Sequence, residues 1–392
     1  MGRGCGWYTR AGKYARSPGP GTRDPGSGTR DSECGCSFVR LPVPPGTMPL
    51  PPPQEPVLDP ISQLALGASV AAVAVPRTHL RRALVYGAAL GSLPDLDYVF
   101  LTRVDDLARF TLHRSFSHSL FVLTALAPLL AWVFRRMDAG LRVLPWWRWL
   151  LAVWLTLATH PLLDAFTVYG TQLWWPLQPP PASWATIAII DPAYTLPLLV
   201  AVACAAFSRR VPAARRALAI GLCLSSAYLA WSVAAKAWVG RQAAPAIAAT
   251  GLDPERVLVS PSLLTTLVWR VLVMTPDGYS EGWYSLLAHE PQLQFEHGHS
   301  DVALRRALAD LPSMQRLEWF SHGYLSVRID ESGRVLATDL RMGAEPDYVF
   351  TFALARRESG AWQPIRPTRI DSAPDWRGRG AELWRRLRVQ ER

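Results

Sequence analysis

Residues Trp146–Phe166 read WWRWLLAVWLTLATHPLLDAF. About 20 predominantly apolar residues suffice to cross a bilayer as a helix, and this run meets that length. It opens on aromatic side chains and ends on an imidazole and a carboxylate. His160 and Asp164 stand four residues apart, so they share one helix face. That spacing lets both hold one metal ion, or lets Asp164 orient the imidazole. The plainer alternative is an intrahelical hydrogen bond between two buried polar groups. Pro161 between them bends the helix. An ionisable group inside or beside a membrane span is costly and marks a functional site by default.

Five further apolar runs surround this one. Ala217–Val239 is also long enough to span, and Ser119–Phe134 and Ala193–Phe207 reach the length with their flanking residues. Ile61–Val75 and Ala83–Leu93 are shorter, fitting short spans or re-entrant helices. Arginines cluster in alternate connections: Arg77, Arg81 and Arg82; then Arg135, Arg136, Arg142 and Arg148; then Arg209, Arg210, Arg215 and Arg216. One topology places all three clusters in the cytoplasm. The connections 94–118 and 167–192, and everything after Val239, then face outward.

Composition agrees. The chain has 392 residues, 49% hydrophobic and only 18% charged, with 17 Trp. Average soluble domains are about 25% charged, and disorder needs low hydrophobicity. A mean hydropathy of only +0.09 then requires the apolar residues to be segregated. The net charge of +10 sits in short Arg clusters rather than a groove-lining patch, which argues against nucleic acid and for a membrane lipid surface. Five Cys make neither a disulfide framework nor a CxxC zinc pair; Cys204 and Cys223 lie within apolar runs. The expected fold is mainly α. A polytopic membrane bundle of five to six segments (58–239) precedes a smaller extramembrane α+β domain (240–392). In that domain Leu263–Met274, Gly323–Ile329, Arg334–Leu340 and Tyr348–Ala355 alternate as strands. Residues 1–57 form a disordered Pro-rich lead, with Met48 the expected true start.

Three more polar groups lie at the outward ends of apolar runs. Asp95 and Asp97, in Gly91-Ser-Leu-Pro-Asp-Leu-Asp97, either bind a cation or cap a following helix, and taken alone capping is the simpler reading. His113 and His118 flank Arg114 at the mouth of the next run. Asp191 before Pro192 has the form of an N-cap followed by Pro at N1, with metal binding the equal alternative. Such a set of His and Asp, without thiolate, suits Zn²⁺ and also Mn²⁺ or Fe²⁺. Metal-activated water attacking a phosphoryl or carbonyl centre is the matching chemistry. Asp97 or Asp164 would act as base, and Arg114 would clamp an anionic oxygen. Ser117 or Ser119 as nucleophile is the lesser alternative, there being no triad order.

The runs DPISQLALGA, GSLPDLDYVF, HRSFSHSL, THPLLDAFTVYGTQLWWPL and IIDPAYTLPLL resemble the YdjM/YbcI family of bacterial inner-membrane proteins, described as membrane-bound metal-dependent hydrolases. The tail, with VWRVLVM, GYSEGWYSLL, WFSHGYLSV and ATDLRMG, is similar to the longer members, so the likeness covers roughly residues 58–355. The resemblance implies a metal site formed by Asp95, Asp97, His113, His118, His160 and Asp164. The family is also distantly similar to zinc-dependent phospholipase C and nuclease proteins that cut phosphodiesters. Many relatives carry His early in the first apolar segment, where this chain has Gln63.

The expected protein is thus a multi-pass bacterial inner-membrane hydrolase with a periplasmic C-terminal domain, acting on a phosphoester or lipid substrate. The alternative is a non-catalytic partner-binding protein whose His/Asp groups stitch helices together. In the tail, Glu281, His289, Glu290, His297, His299 and His322 either add ligands or are ordinary surface residues, and the latter is expected.

Overall fold

The computed structural model describes residues 60–288, 293–370 and Arg385. The Pro-rich lead with Met48, and His289 and Glu290, lie outside the described residues. All six apolar runs become helices: α1 (Pro60–Ala74), α2 (Leu80–Gly91), α5 (Leu120–Met137), α7 (Trp146–Ala165), α8 (Pro192–Phe207) and α9 (Val211–Thr250). Short helices α3 (Asp97–Phe100), α4 (Asp106–Leu112) and α6 (Ala139–Arg142) lie in the connections. Among the described residues, α5 and α9 are the two helices long and apolar enough to cross a membrane, while α1 and α8 are apolar but shorter.

Helix α7 runs through the core, with Trp149, Ala152, Val153 and Leu157 fully buried. Helix α5 buries only Leu123, Ala127 and Ala131. Its Phe121, Leu129 and Trp132 face outward, as do Leu196, Val200 and Phe207 of α8 and Ile220 and Leu224 of α9. Cys204 and Cys223 are exposed too.

Helices α1 and α2 cross at Gly67, Gly87 and Gly91. A Cβ on Gly67 would strike the Gly87 carbonyl and lie 2.8 Å from the Gly91 Cα; one on Gly91 would come within 2.5 Å of the Gln63 carbonyl. Small residues at a four-residue spacing allow this approach of backbones, which seats Gln63 beside the end of α2.

The three Arg-bearing connections meet at one end of the bundle. Arg81 donates to Ser208 O at 3.4 Å, Arg215 to Val75 O at 3.1 Å, and Arg82 pairs with Asp138 at 3.3 Å. Gly91, the start of α5, the end of α7 and the start of α8 all lie at the other end.

The C-terminal region holds two four-stranded antiparallel sheets, each in sequential order. The first contains β1 (Arg256–Ser262), β2 (Thr265–Thr275), β3 (Gly278–Ser285) and β4 (Phe295–His299). Two short helices follow, α10 (Val302–Ala307) and α11 (Pro312–Phe320). The second sheet is β5 (Leu325–Ile329), β6 (Arg334–Ala344), β7 (Asp347–Glu358) and β8 (Ala361–Arg369). Antiparallel sheet dominates this region, with α10 and α11 between its two sheets. Helix α9 does not stop at Val239. Its Ala235, Val239, Ala243 and Ile247 pack on Trp269, Val271 and Val273 of the first sheet.

The second sheet packs against the site-bearing connections. Phe110 of α4 stacks among Tyr169, Phe320, Phe350 and Phe352, with ring centroids 4.3–5.4 Å away. The Arg369 amide donates to Asp106 at 2.9 Å. Between the sheets, buried Arg270 pairs with Glu281 and donates to Leu340 O at 2.7 Å.

Candidate metal centre

Three segments converge at the end of the bundle opposite the arginines. The C-terminal turn of α7 brings His160 and Asp164 on one face. The turn after α2 brings Asp95, and the 3₁₀ turn Phe116–His118 ahead of α5 brings His118. One potential ligand atom from each of these four residues lies within 4.8 Å of all the others. The two Nε2 atoms of His118 and His160 are 3.1 Å apart. His118 Nε2 lies 3.3 Å from Asp95 Oδ1 and 3.2 Å from Asp164 Oδ2; for His160 Nε2 the distances are 3.3 and 3.5 Å. Tetrahedral bonds of about 2.05 Å, usual for zinc, put ligand atoms about 3.3 Å apart. These five edges match that figure.

The imidazole tautomers follow from their outer partners. His160 Nδ1 lies 2.6 Å from the Gly91 carbonyl. A carbonyl only accepts, so Nδ1 carries the proton. Gly91 ends α2, where a helix leaves carbonyls without an internal partner. His118 Nδ1 lies 2.9 Å from Ser117 Oγ, which donates its own proton to Asp97 Oδ2 at 2.6 Å. So His118 Nδ1 is protonated as well. With Nδ1 protonated on both rings, both Nε2 atoms point toward the same place. Asp95 Oδ1 and Asp164 Oδ2, also at that point, are buried without a hydrogen-bond partner. Four convergent lone-pair atoms with protonated outer nitrogens are what a divalent cation requires. A proton competes for the same place: burial works against charge on His118, but Asp164 and Asp95 beside it raise its pKa to about 9.

The other expected ligands stand one hydrogen bond further out. His113 Nδ1 bonds Asp97 Oδ1 at 2.9 Å, and Asp97 Oδ2 also accepts from the Arg114 amide at 3.3 Å. Burial pushes the Asp97 carboxyl up, but the His113 contact outweighs it and holds the pKa below the usual range. Neither Asp95 nor Asp97 caps a helix with its side chain, which corrects the simpler reading. Asp97 ties its loop together, and Asp95 turns to the two imidazoles.

Arg114 is 2% exposed and adopts a left-handed backbone, φ 63°, a strained state for a non-glycine residue. Its guanidinium reaches Asp164 Oδ1 at 3.2 Å and Thr167 Oγ1 at 3.2 Å, over the Tyr169 ring. Gln63 Nε2 donates to the same Asp164 oxygen at 2.9 Å, so Gln63 supports a ligand rather than joining the cluster.

Asp191 stays out of the cluster. It caps α8 through the Ala193 amide at 3.0 Å and accepts from Tyr228 at 2.9 Å. Ser119 likewise caps α5 and donates to Trp175 O at 2.6 Å. In the tail, Glu281 is committed to Arg270, His297 lies 2.7 Å from Ser280, and His322 donates to Pro181 O at 2.8 Å. A cleft reaches the cluster along Ser62, Gln63, Asp95, Arg114, Asp164, Ile187 and Tyr194. Of the four cluster residues, Asp95 keeps the most side-chain exposure, 26%.

Comparison with known proteins adds one finding. No curated protein and no solved structure matches the chain. Residues 58–239, the segment that carries every member of the His/Asp cluster and its supporting shell, match the model of the YdjM inner membrane protein family.

Proposed function

We propose that the chain is a multi-pass inner-membrane hydrolase, dependent on a divalent metal, that cleaves a phosphoester of lipid-like character. The observation that carries this reading is the meeting of four potential ligand atoms, with five of their separations at 3.1–3.5 Å and both imidazoles protonated on their outer nitrogens. Membrane embedding is supported by the outward apolar faces of α5, α8 and α9 and by the family. The gathering of arginines at one end supports a cytoplasmic placement of that end. It follows that the His/Asp end, and the sheets behind it, face the periplasm.

Asp95, His118, His160 and Asp164 would hold the ion, with Asp95, the most exposed of the four, the one to yield its position to water. A divalent cation held there, zinc first among the candidates and manganese or iron next, would supply a water of lowered pKa and polarise the ester oxygen. The protein does the rest. Asp97 fixes His118 through Ser117, and Gly91 fixes His160. Arg114 and Gln63 hold one oxygen of Asp164 so that the other faces the cluster. The oxygens of Asp97 are all engaged and Asp164 is held on one side, so the carboxylate placed to take a proton at the cleft is Asp95.

Elemental analysis of protein purified in mild detergent without chelator or His-tag tests this. The wild type is expected to carry about one Zn, Mn or Fe per chain. His118→Ala/His160→Ala is expected to carry none and to lose any phosphoesterase activity while still inserting. Stoichiometric metal in the double variant sinks the assignment. No metal in either protein, even after reconstitution, leaves the cluster as polar contacts between helices.

A further inference from the structure

Gln63 and Arg114 share more than Asp164. Gln63 Nε2 donates to Asp164 Oδ1 and also lies 3.3 Å from the His160 carbonyl. Two acceptors fix the amide's orientation, so Oε1 lies on the other side, buried without a partner. Arg114 commits Nη1 to Thr167 and Nη2 to Asp164, and its Nε is likewise buried without a partner. The two residues are 5% and 2% exposed, and both line the cleft. Native proteins rarely leave such atoms unmatched. Here an acceptor and a charged donor remain, both on residues that converge on one carboxylate oxygen beside the metal cluster.

A ligand that satisfies both presents an acceptor to Arg114, for which an oxyanion suits the guanidinium charge, and a donor to Gln63, for which a hydroxyl serves. We propose that the cleft is a subsite for a hydroxyl-bearing phosphoester head group of the polyol phosphate class. A phosphoryl oxygen accepts from Arg114 Nε, and a neighbouring hydroxyl donates to Gln63 Oε1. Leu163, Ile187 and Tyr194 supply apolar wall for the carbon skeleton. The inference rests on the phosphoester reading above and narrows its substrate. A site built to bond a hydroxyl discriminates strongly against analogues that lack it, because its own polar atom is then stranded.

Calorimetric titration of the metal-loaded full chain in detergent tests this, with glycerol 3-phosphate and ethyl phosphate as probes. Glycerol 3-phosphate is expected to bind about tenfold tighter than ethyl phosphate. Gln63→Leu, which also loses a bond to Asp164 and is therefore titrated in excess metal with loading checked by elemental analysis, is expected to bring that ratio to about one. If the variant loses its ion, the wild-type ratio alone decides. Equal affinities in the wild type overturn the subsite and leave the phosphoester reading standing. Binding of neither probe to the loaded protein overturns both. Dihexanoyl phosphatidylglycerol, run in parallel, identifies the source: tighter binding than glycerol 3-phosphate assigns the head group to a lipid, weaker binding to a free polyol phosphate.

Discussion

His160 and Asp164 were legible from their spacing alone, because four residues along a helix return to the same face. Asp95 and His118 were legible as polar groups at apolar boundaries. What the sequence could not separate was the ring of four from the pair behind it. His113 and His118 share a residue type and a loop, yet His113 turns to Asp97 and His118 turns to the cluster. That choice depends on the left-handed turn at Arg114 between them, which no local signal marks. Gln63 could be flagged only as standing where relatives carry His; its bond to Asp164 exists only once α1 has packed against α7. Asp97 offers the clearest test at this scale. Asp97→Asn keeps the shape but replaces a carboxylate oxygen facing Ser117 and the Arg114 amide. Outer partners of metal ligands are typically worth 10–100-fold in affinity. Metal affinity of Asp97→Asn, read by competition with a chromophoric chelator, is expected to fall by about that factor while one ion still binds. An unchanged affinity would mean that Asp97 only ties its loop together.

The helices were the easiest elements to read and the strands the hardest, for the same reason. Long apolar runs have few alternative fates, so all six became helices, although among the described residues α5 and α9 alone are long and apolar enough to cross a membrane, and α7, expected to span, is not one of them. Strands β2, β5, β6 and β7 showed alternation and were expected. Strand β3 did not, because it buries Ser280 and the Arg270-paired Glu281 among its neighbours. Strand β8 lies at a sheet edge and contains Pro364 and Pro367, which only an edge tolerates well. The α1–α2 crossing is the element-scale feature on which the site most depends. Gly87→Val would push a branched side chain into the Gly67 carbonyl and Ala71. Overpacking of this kind costs about 1–3 kcal/mol. The variant is expected to melt earlier in detergent and to lose metal more readily, since Gly91 O and Gln63 would both shift. The paired readout matters, because a lowered Tm with metal affinity intact would uncouple the crossing from the cluster.

At the scale of the molecule, the site sits between a helical bundle and a sheet that closes over its loops. Phe110 is the shared piece, lying on α4 yet buried in the core of the second sheet. Truncating a buried Phe to Ala costs about 3–5 kcal/mol. Phe110→Ala is expected to lower the Tm and to weaken metal retention, although no atom of Phe110 touches the cluster. Metal retention equal to wild type would show that the loops hold themselves. Helix α9 joins the two halves in another way. Its 40 residues make a rod about 60 Å long, twice the thickness of a bilayer's hydrocarbon core, which is about 30 Å. One end of the rod belongs to the bundle and the other to the first sheet. Adding or removing one residue between them is therefore a screw operation, advancing the sheet by 1.5 Å and turning it by about 100°. The chain can drift in composition along that rod, but its length is locked to the residue.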